Sequence, residues 1–442
     1  MPSTSVIKKI RPLQLIAVIF FTVSGGPYGL EPLLGYAGEH AALLVLMITP
    51  MLWDVPAIFT VLELNSMMPV EGGYYKWVKY ALGTRWGFFE GWWTWLYTFI
   101  DLAIYPVLFV TYASFFFPEL AHYKIPVCLL VIWSSAGLNI LGIVPVGRVS
   151  LLLSVFVLMP FIILIAAFFY HHSGGVALPS PSVKGIGFPS MAMALYTVMW
   201  NCLGWDNVTT YAEEVEKPVR SYMVSVIVAF ILVLIVYFFT ILVAQQSHIN
   251  YGALEKDGFP ALGTLVGGNW LGILVAAGGM ASTLGIYAAV LLSVSRVPKV
   301  MSDDNLLPGW FNKLHPKFNT PYVSIIVCSL VVSLMVLWSF AELLIIDVTV
   351  YGAGLFLEYV TLIRLRIKEP STHRPFRVPL NITGLCLATL FPVGVYVVAL
   401  TGALVSDEGG IKPAIFAVCT LLTAEVAWQL VKWIRLSPGT SS

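Results

Sequence analysis

Apolar residues in this chain arrive in unbroken runs rather than in alternating or striped patterns, and most runs are long enough to carry a helix across a bilayer. Hydropathy windows predict about twelve spans, at 12–37, 41–66, 87–117, 125–144, 149–170, 189–211, 221–244, 269–295, 322–339, 342–364, 382–405 and 411–434. The expected fold class is therefore an all-α polytopic membrane protein.

The polar connections predict its orientation. With residues 1–11 in the cytoplasm, the connections on that side hold 20 of the 24 Lys and Arg, and only Lys124, Lys184, Lys256 and Lys412 face outward. That asymmetry satisfies the positive-inside rule, so both termini, 1–11 and 435–442, are expected inside the plasma (inner) membrane. Lys8, Lys9 and Arg11 precede an apolar run as in a signal peptide, but that run carries Gly25-Gly26-Pro27 and Glu31 instead of a small-residue cleavage site. It reads as an uncleaved first span.

Two spans are interrupted. The first contains Ser24-Gly25-Gly26-Pro27-Tyr28-Gly29, and the sixth contains Trp200-Asn201-Cys202-Leu203-Gly204-Trp205-Asp206. Unwound backbone at membrane depth is tolerable only where protein or a water-filled cavity satisfies it. Spans one and six occupy matching places in two five-span halves, 12–170 and 189–364, with two additional helices at 382–434. Broken helices so placed mark the binding site of inverted-repeat secondary transporters. The alternative is a pair of glycine kinks made for tight helix packing.

At 58% hydrophobic and 11% charged residues, the composition excludes a soluble enzyme. The net charge of +1 carries no sign of a nucleic-acid partner. The five cysteines show neither CxxC nor His-partnered spacing, so no disulfide framework or metal site is expected. Without a nucleophile, base and orienting group, or a phosphate loop, neither catalysis nor a cofactor is expected.

Charge is distributed unevenly within the spans themselves. Lys and Arg stay in the connections, whereas Glu31, Asp54, Glu63, Asp101, Asp206 and Asp347 lie within apolar stretches or at their breaks. Each charge at bilayer depth costs at least ~2.5–3.5 kcal/mol, which makes each a functional-site candidate. Together they describe a cavity for a small cation.

Several stretches carry a resemblance to a known family. Glu63-Leu64 with Pro69 and Gly72-Gly73-Tyr74 forms the first. Ser295-Arg296 with Met301, Asp304, Leu307-Pro308 and Thr320-Pro321 forms the second, and Arg374-Pro375-Phe376-Arg377-Val378-Pro379 the third. In this order they resemble the amino acid, polyamine and organocation transporter superfamily across nearly the whole chain. Ser24 to Glu31, Ile100-Asp101 with Tyr105-Pro106-Val107-Leu108-Phe109, and Trp200-Asn201 with Trp205-Asp206 and Glu214-Val215-Glu216-Lys217-Pro218 look like the polyamine uptake branch of plants and protozoa. The resemblance implies a proton-coupled importer of putrescine, spermidine or similar cations, with the fold of the leucine transporter. The chain departs from plant members in span two, where Pro56-Ala57 stands for Pro-Glu and Asp54 replaces a small residue one turn earlier. Positions 54 and 57 share a helix face, so the acid has moved without leaving that side.

Asp101, among Trp92, Trp93, Trp95, Tyr97 and Tyr105, suits an alkylammonium held by charge and aromatic faces. Its alternative is a structural hydrogen bond to a neighbouring helix. Trp200 would cover the bound chain, as the resemblance implies, or simply pack. Carboxylates in partly buried sites hold protons, so Asp206 and Glu31 are proton-coupling candidates. Asp206 is favoured for coupling and Glu31 for amine binding, or else Glu31 caps the resumed half-helix. Ser24, Gly25, Gly26, Asn201 and Trp205 line the breaks, and Asp54 is a weaker member of the substrate site. Asp347 is read either as an outer vestibule acid or as solvated. Glu63 is read as a structural gate residue paired with an Arg, and Glu213, Glu214 and Glu216 as a solvated helix end. Protons are the expected coupling ion, and a sodium site stays open because span five lacks a Lys to replace it. The rivals are a cationic or neutral amino acid carrier and a non-transporting membrane sensor. The expected partners are the substrate and the lipid bilayer, with the protein a monomer or homodimer.

Overall fold

The computed structural model describes residues 9–171, 180, 182–336, 340–406 and 411–436. Residues 1–8 and 437–442, expected in the cytoplasm, lie outside that set. The chain forms α1 (Pro12–Val23), α2 (Glu31–Leu52), α3 (Asp54–Met67), α4 (Gly73–Leu82), α5 (Thr84–Ser114), α6 (Lys124–Ile140), α7 (Ile143–His171), α8 (Phe188–Trp200) and α9 (Pro218–Gln246). It continues through α10 (Tyr251–Asp257), α11 (Phe259–Gly267), α12 (Asn269–Val294), α13 (Arg296–Asp303), α14 (Tyr322–Met335), α15 (Phe340–Lys368), α16 (Ile382–Leu404) and α17 (Ile411–Leu436).

Among the described residues, nine helical stretches are long and apolar enough to cross a membrane. The windows expected at 12–37, 189–211 and 322–339 fall instead on the shorter α1, α8 and α14. For α1 and α8 the reason is local: unwound backbone cuts both where the sequence anticipates. The chain also runs from Glu31 to Met67 as one apolar stretch, turned at Gly38 by its left-handed φ of 66°. Connections read as loops in the sequence contain short helices, namely α4, α10, α11 and α13.

Burial sorts the helices into an inner and an outer layer. The apolar windows of α5 and α15 are 72% and 78% buried, against 17% for α16 and 22% for α17. In lipid an outer helix can be apolar all round, so polar groups concentrate on helices shielded by neighbours. α5 packs against both α12 and α15, and Asp101 and Asp347 sit on α5 and α15 of this inner layer.

One face of the bundle is closed by ion pairs. Glu63 on α3 accepts hydrogen bonds from Arg366 Nε at 2.5 Å and Nη2 at 2.6 Å, and from the Val378 N–H at 2.8 Å, while Arg374 Nε lies 3.2 Å from its Oε1. Glu214 is half-buried rather than solvated, because the buried Arg296 donates to it at 2.9 and 3.3 Å. Lys299 reaches Glu71 at 2.7 Å, and Lys76 and Lys79 each reach Asp304 at 2.8 Å. Burial alone would raise the Asp304 carboxyl, but hydrogen bonds from Lys76, Lys79 and Tyr75 outweigh it and hold the group below its ordinary value. This pairing therefore persists at neutral pH and is lost only as pH falls through that lowered value. Backbone contacts Ile10 N–H to Glu214 O and Gly72 N–H to Thr210 O lock the same face.

A buried charge stripped of its partner costs ~3–5 kcal/mol. Glu63→Gln is expected to lower the thermal unfolding temperature of the detergent-solubilised protein, with Glu63→Ala worse; an unchanged melting temperature would show that Arg366 finds another partner.

Candidate functional site

The two breaks face each other and are joined by a residue the sequence reading omits. Tyr237 on α9 donates its hydroxyl to the Asn201 carbonyl at 2.8 Å, and its oxygen shares a second hydrogen bond with the Ser24 hydroxyl at 2.6 Å. Gly25 has φ +64°, and its carbonyl accepts from Ser282 Oγ on α12 at 2.5 Å. A Cβ at Gly25 would meet Ile286 at 2.3 Å, so only glycine allows this close approach. The Gly26 N–H donates to Ser24 Oγ at 3.0 Å. Freed backbone groups are thus satisfied by side chains: Gly25 by Ser282 of α12, Gly26 by Ser24, and Asn201 in the second break by Tyr237 of α9, as unwound chain in a membrane requires.

After its break, the sixth span does not resume as an α-helix. It continues as two 3-10 turns, Asn207–Thr210 and Ala212–Glu214. Thr209 and Thr210 donate their hydroxyls to the carbonyls of Asp206 and Asn207 at 2.6 and 2.9 Å, which supports the tighter turn.

Beside the breaks, three predicted residues come together. Asp101 Oδ1 accepts from Tyr105 at 2.5 Å, one turn along α5, and from Trp200 Nε1 at 3.4 Å at the end of α8. The Trp200 and Tyr105 rings stack with centroids 6.2 Å apart, and Trp200 also lies against Gly29 in the first break. The result is a buried carboxylate with two aromatic faces beside it, and none of the ion pairs among the described residues involves it. Trp92 and Trp93, grouped with Asp101 in the sequence, turn away and bond to Thr423 and Leu421 of α17.

The other acids separate. Glu31 opens α2 and is held by protein donors: Gly29 N–H at 2.6 Å, Tyr112 at 3.1 Å and Phe259 N–H at 3.4 Å. These donors lie in the break, on α5 and on α11, so Glu31 bridges the first break to those two helices, and none of the three is a first-turn amide of α2. Asp54 accepts from Trp205 Nε1 at 3.2 Å behind the sixth-span break, away from Asp101. Asp347 is fully buried rather than solvated; neither oxygen has a hydrogen-bond partner, and Asp101 lies within its electrostatic reach. Asp206 accepts from Tyr351 at 2.8 Å. Toward the ion-paired face, the Tyr97 and Tyr351 rings meet edge to face at 5.3 Å, and the Tyr97 hydroxyl bonds to the Asn207 side chain.

Two further buried acids, Glu90 on α5 and Glu358 on α15, are missing from the sequence reading. Both lie inside expected spans, and each is 11 residues from an acid that reading did select, Asp101 and Asp347. That spacing, three helical turns, was the available signal.

A family model described as amino acid permease matches residues 10–423. Polyamine transporter RMV1 of Arabidopsis thaliana is 32% identical over 399 residues, covering 87% of this chain and 79% of its own length. Polyamine transporter PUT1 of Oryza sativa subsp. japonica is 33% identical over 401 residues, 89% of this chain and 73% of its own. The branched-chain amino acid permease BcaP of Bacillus subtilis is more distant, at 25% over 345 residues and 72% of each.

If the Trp200 face contacts a bound cation, replacing it with Leu should weaken ligand binding by ~0.5–2 kcal/mol, the range of a cation–π contact, while Trp200→Phe retains part of it. Titration of putrescine binding by tryptophan-independent calorimetry reads both variants. Equal binding by Leu and Phe would assign Trp200 to packing.

Proposed function

Since the chain belongs to the amino acid permease family, we propose that it is a secondary active transporter that imports polyamines of the putrescine and spermidine type by alternating access, with protons as the co-substrate. The observation that carries this reading is the Asp101 carboxylate, buried beside Tyr105 and Trp200 without a basic partner among the described residues. An ammonium entering there gains charge pairing and two aromatic faces, and it relieves the cost of the buried acid. The names of the plant relatives point to the same chemistry.

The architecture we propose has twelve spans, a 5+5 inverted repeat and the ion-paired face in the cytoplasm of a plasma-membrane protein. The matched breaks after α1 and α8 support the repeat, and the lysines and arginines gathered on one face support the orientation. The ion pairs of Glu63, Glu214, Glu71 and Asp304 form the inner gate. An amino acid carrier is the weaker reading, for a physical reason. The Glu31 carboxylate stands at the start of the resumed half-helix and holds the Gly29 N–H of the break, so it repels a substrate carboxylate from that end. Asp206 is the coupling acid of this proposal, and Glu31 ties the first break to α5 and α11.

Membrane potential supplies much of the driving force. At ~2.3 kcal/mol per charge per ~100 mV, a divalent amine gains about 4.6 kcal/mol, a concentration ratio on the order of a thousand.

In liposomes with an inside-negative potential, the purified protein should accumulate radiolabelled putrescine, and Asp101→Asn should lower transport by the ~2–5 kcal/mol typical of a lost buried charge partner, thirtyfold or more. Uptake of arginine or a neutral amino acid without putrescine would select the amino acid carrier. Ligand binding without any uptake would select a sensor.

A further inference from the structure

The seam between α5 and α15 carries acids at two levels. Asp101 and Asp347 form the outer level, and Glu90 and Glu358 the inner one, 11 residues along on both helices and so about 16 Å away on the same faces. Between the levels stands the Tyr97–Tyr351 layer. The outer level meets the amine in the reading above. The inner one has no role in it.

At the inner level, hydrogen bonding is incomplete. Glu358 is fully buried and Glu90 nearly so, and neither Glu358 oxygen nor Glu90 Oε2 meets a donor. Glu90 points at α15: a Cβ on Gly354, one turn before Glu358, would sit 3.0 Å from its Oε1. The carboxyls of Glu358 and Asp206 approach each other within hydrogen-bonding reach, yet both are acceptors when ionised. Such a contact is a hydrogen bond only if one partner carries a proton, and two carboxylates in a dry interior cannot both stay charged. The hydroxyls of Tyr74 on α4 and Tyr359 on α15, also buried and unpartnered, share electrostatic reach of these acids.

Among the described residues, no ion pair involves Asp206, Glu358 or Glu90. Of the arginines past Glu358 on α15, Arg364 donates to the Ala81 carbonyl at 3.0 Å and Arg366 is consumed by Glu63. The neighbouring α3 presents Asp54, α8 presents Tyr196 bonded to Thr349, α16 presents Tyr396 bonded to the Thr349 carbonyl, and α17 presents Glu425 paired with Arg85 at the surface.

We propose that Asp206, Glu358 and Glu90 form a proton-binding site, separate from the amine site at Asp101, that holds its proton while the inner gate is closed and releases it to cytoplasmic water when the gate opens. This rests on the transporter reading and adds to it where coupling occurs. Release leaves a carboxylate, neutralised by the next proton taken up from the outer side. The site is wired to the moving parts: Asp206 accepts from the Tyr351 hydroxyl at 2.8 Å, and that hydroxyl accepts from Gly204 N–H at 3.4 Å in the sixth-span break. Gain or loss of the proton therefore acts on the break and on the aromatic layer between the two sites. Glu358 and Glu90 are positioning and proton-holding groups and do not contact the amine.

The test compares wild type with Glu358→Gln and Glu90→Gln in proteoliposomes, taking the ratio of putrescine accumulation driven by a pH gradient at zero potential to that driven by potential alone. An inward gradient of about one pH unit is worth about tenfold per coupled proton. The wild type is expected to show that factor, and both variants to lose it. Variants that keep the full factor overturn this site while leaving proton-coupled import intact; a wild type that transports putrescine without any gradient effect overturns both. Should a variant transport too little to measure, the infrared carbonyl band of a protonated carboxylic acid in the purified protein decides. Loss of that band in Glu358→Gln supports the site, and an unchanged band refutes it.

Discussion

A carboxylate removed from water and given no base must be protonated, hydrogen-bonded or occupied by a cation, and the inner layer of this bundle is arranged around that constraint. Each solution appears at a different place. Glu31 is hydrogen-bonded by Gly29, Tyr112 and Phe259. Glu63 is neutralised by Arg366 and Arg374. Asp101 has Tyr105 and Trp200 but no cation of its own, and Glu358 has no donor at all among the described residues. The first two are satisfied within the protein, and the last two are the ones on which the proposed amine and proton sites rest.

The breaks in α1 and α8 make that mobility mechanically relevant. Hydrogen bonds of Tyr237 tie the breaks to α9, and the one from Ser282 ties the first break to α12, so the unwound segments are supported from helices outside the acid seam. Rocking of one helix group against another would then load these few bonds rather than disrupt whole helices. The ion-paired face opposes such opening, because Arg296 is buried and must keep Glu214 or find water.

The sequence showed the helical class and the two breaks plainly, because run length and Gly-Pro content are local signals, and it grouped Asp101 with five aromatics of which Tyr105 is the one that bonds to it. Glu63 was legible as a partner for an Arg for the same reason: it sits at a span end near basic connections. Glu90 and Glu358 lie three and six residues from the inner ends of their expected spans, where a carboxylate is ordinary, so their burial rests on the packing of α5 against α15, which neither stretch encodes. Other features depended on packing that no single stretch encodes. Trp92 and Trp93 turn to α17, Asp54 faces Trp205 rather than the Asp101 site, and Tyr237 reaches two breaks more than thirty residues away in the chain.

The most direct check on the central claim, that Asp101 with its aromatic pair is the amine site, is a high-resolution structure with putrescine bound. The account predicts an ammonium within hydrogen-bond distance of the Asp101 carboxylate, lying against the Trp200 and Tyr105 rings, with the Glu31 bonds undisturbed. A ligand seated on the freed backbone of the two breaks, with Asp101 still bonded only to Tyr105 and Trp200, would contradict it.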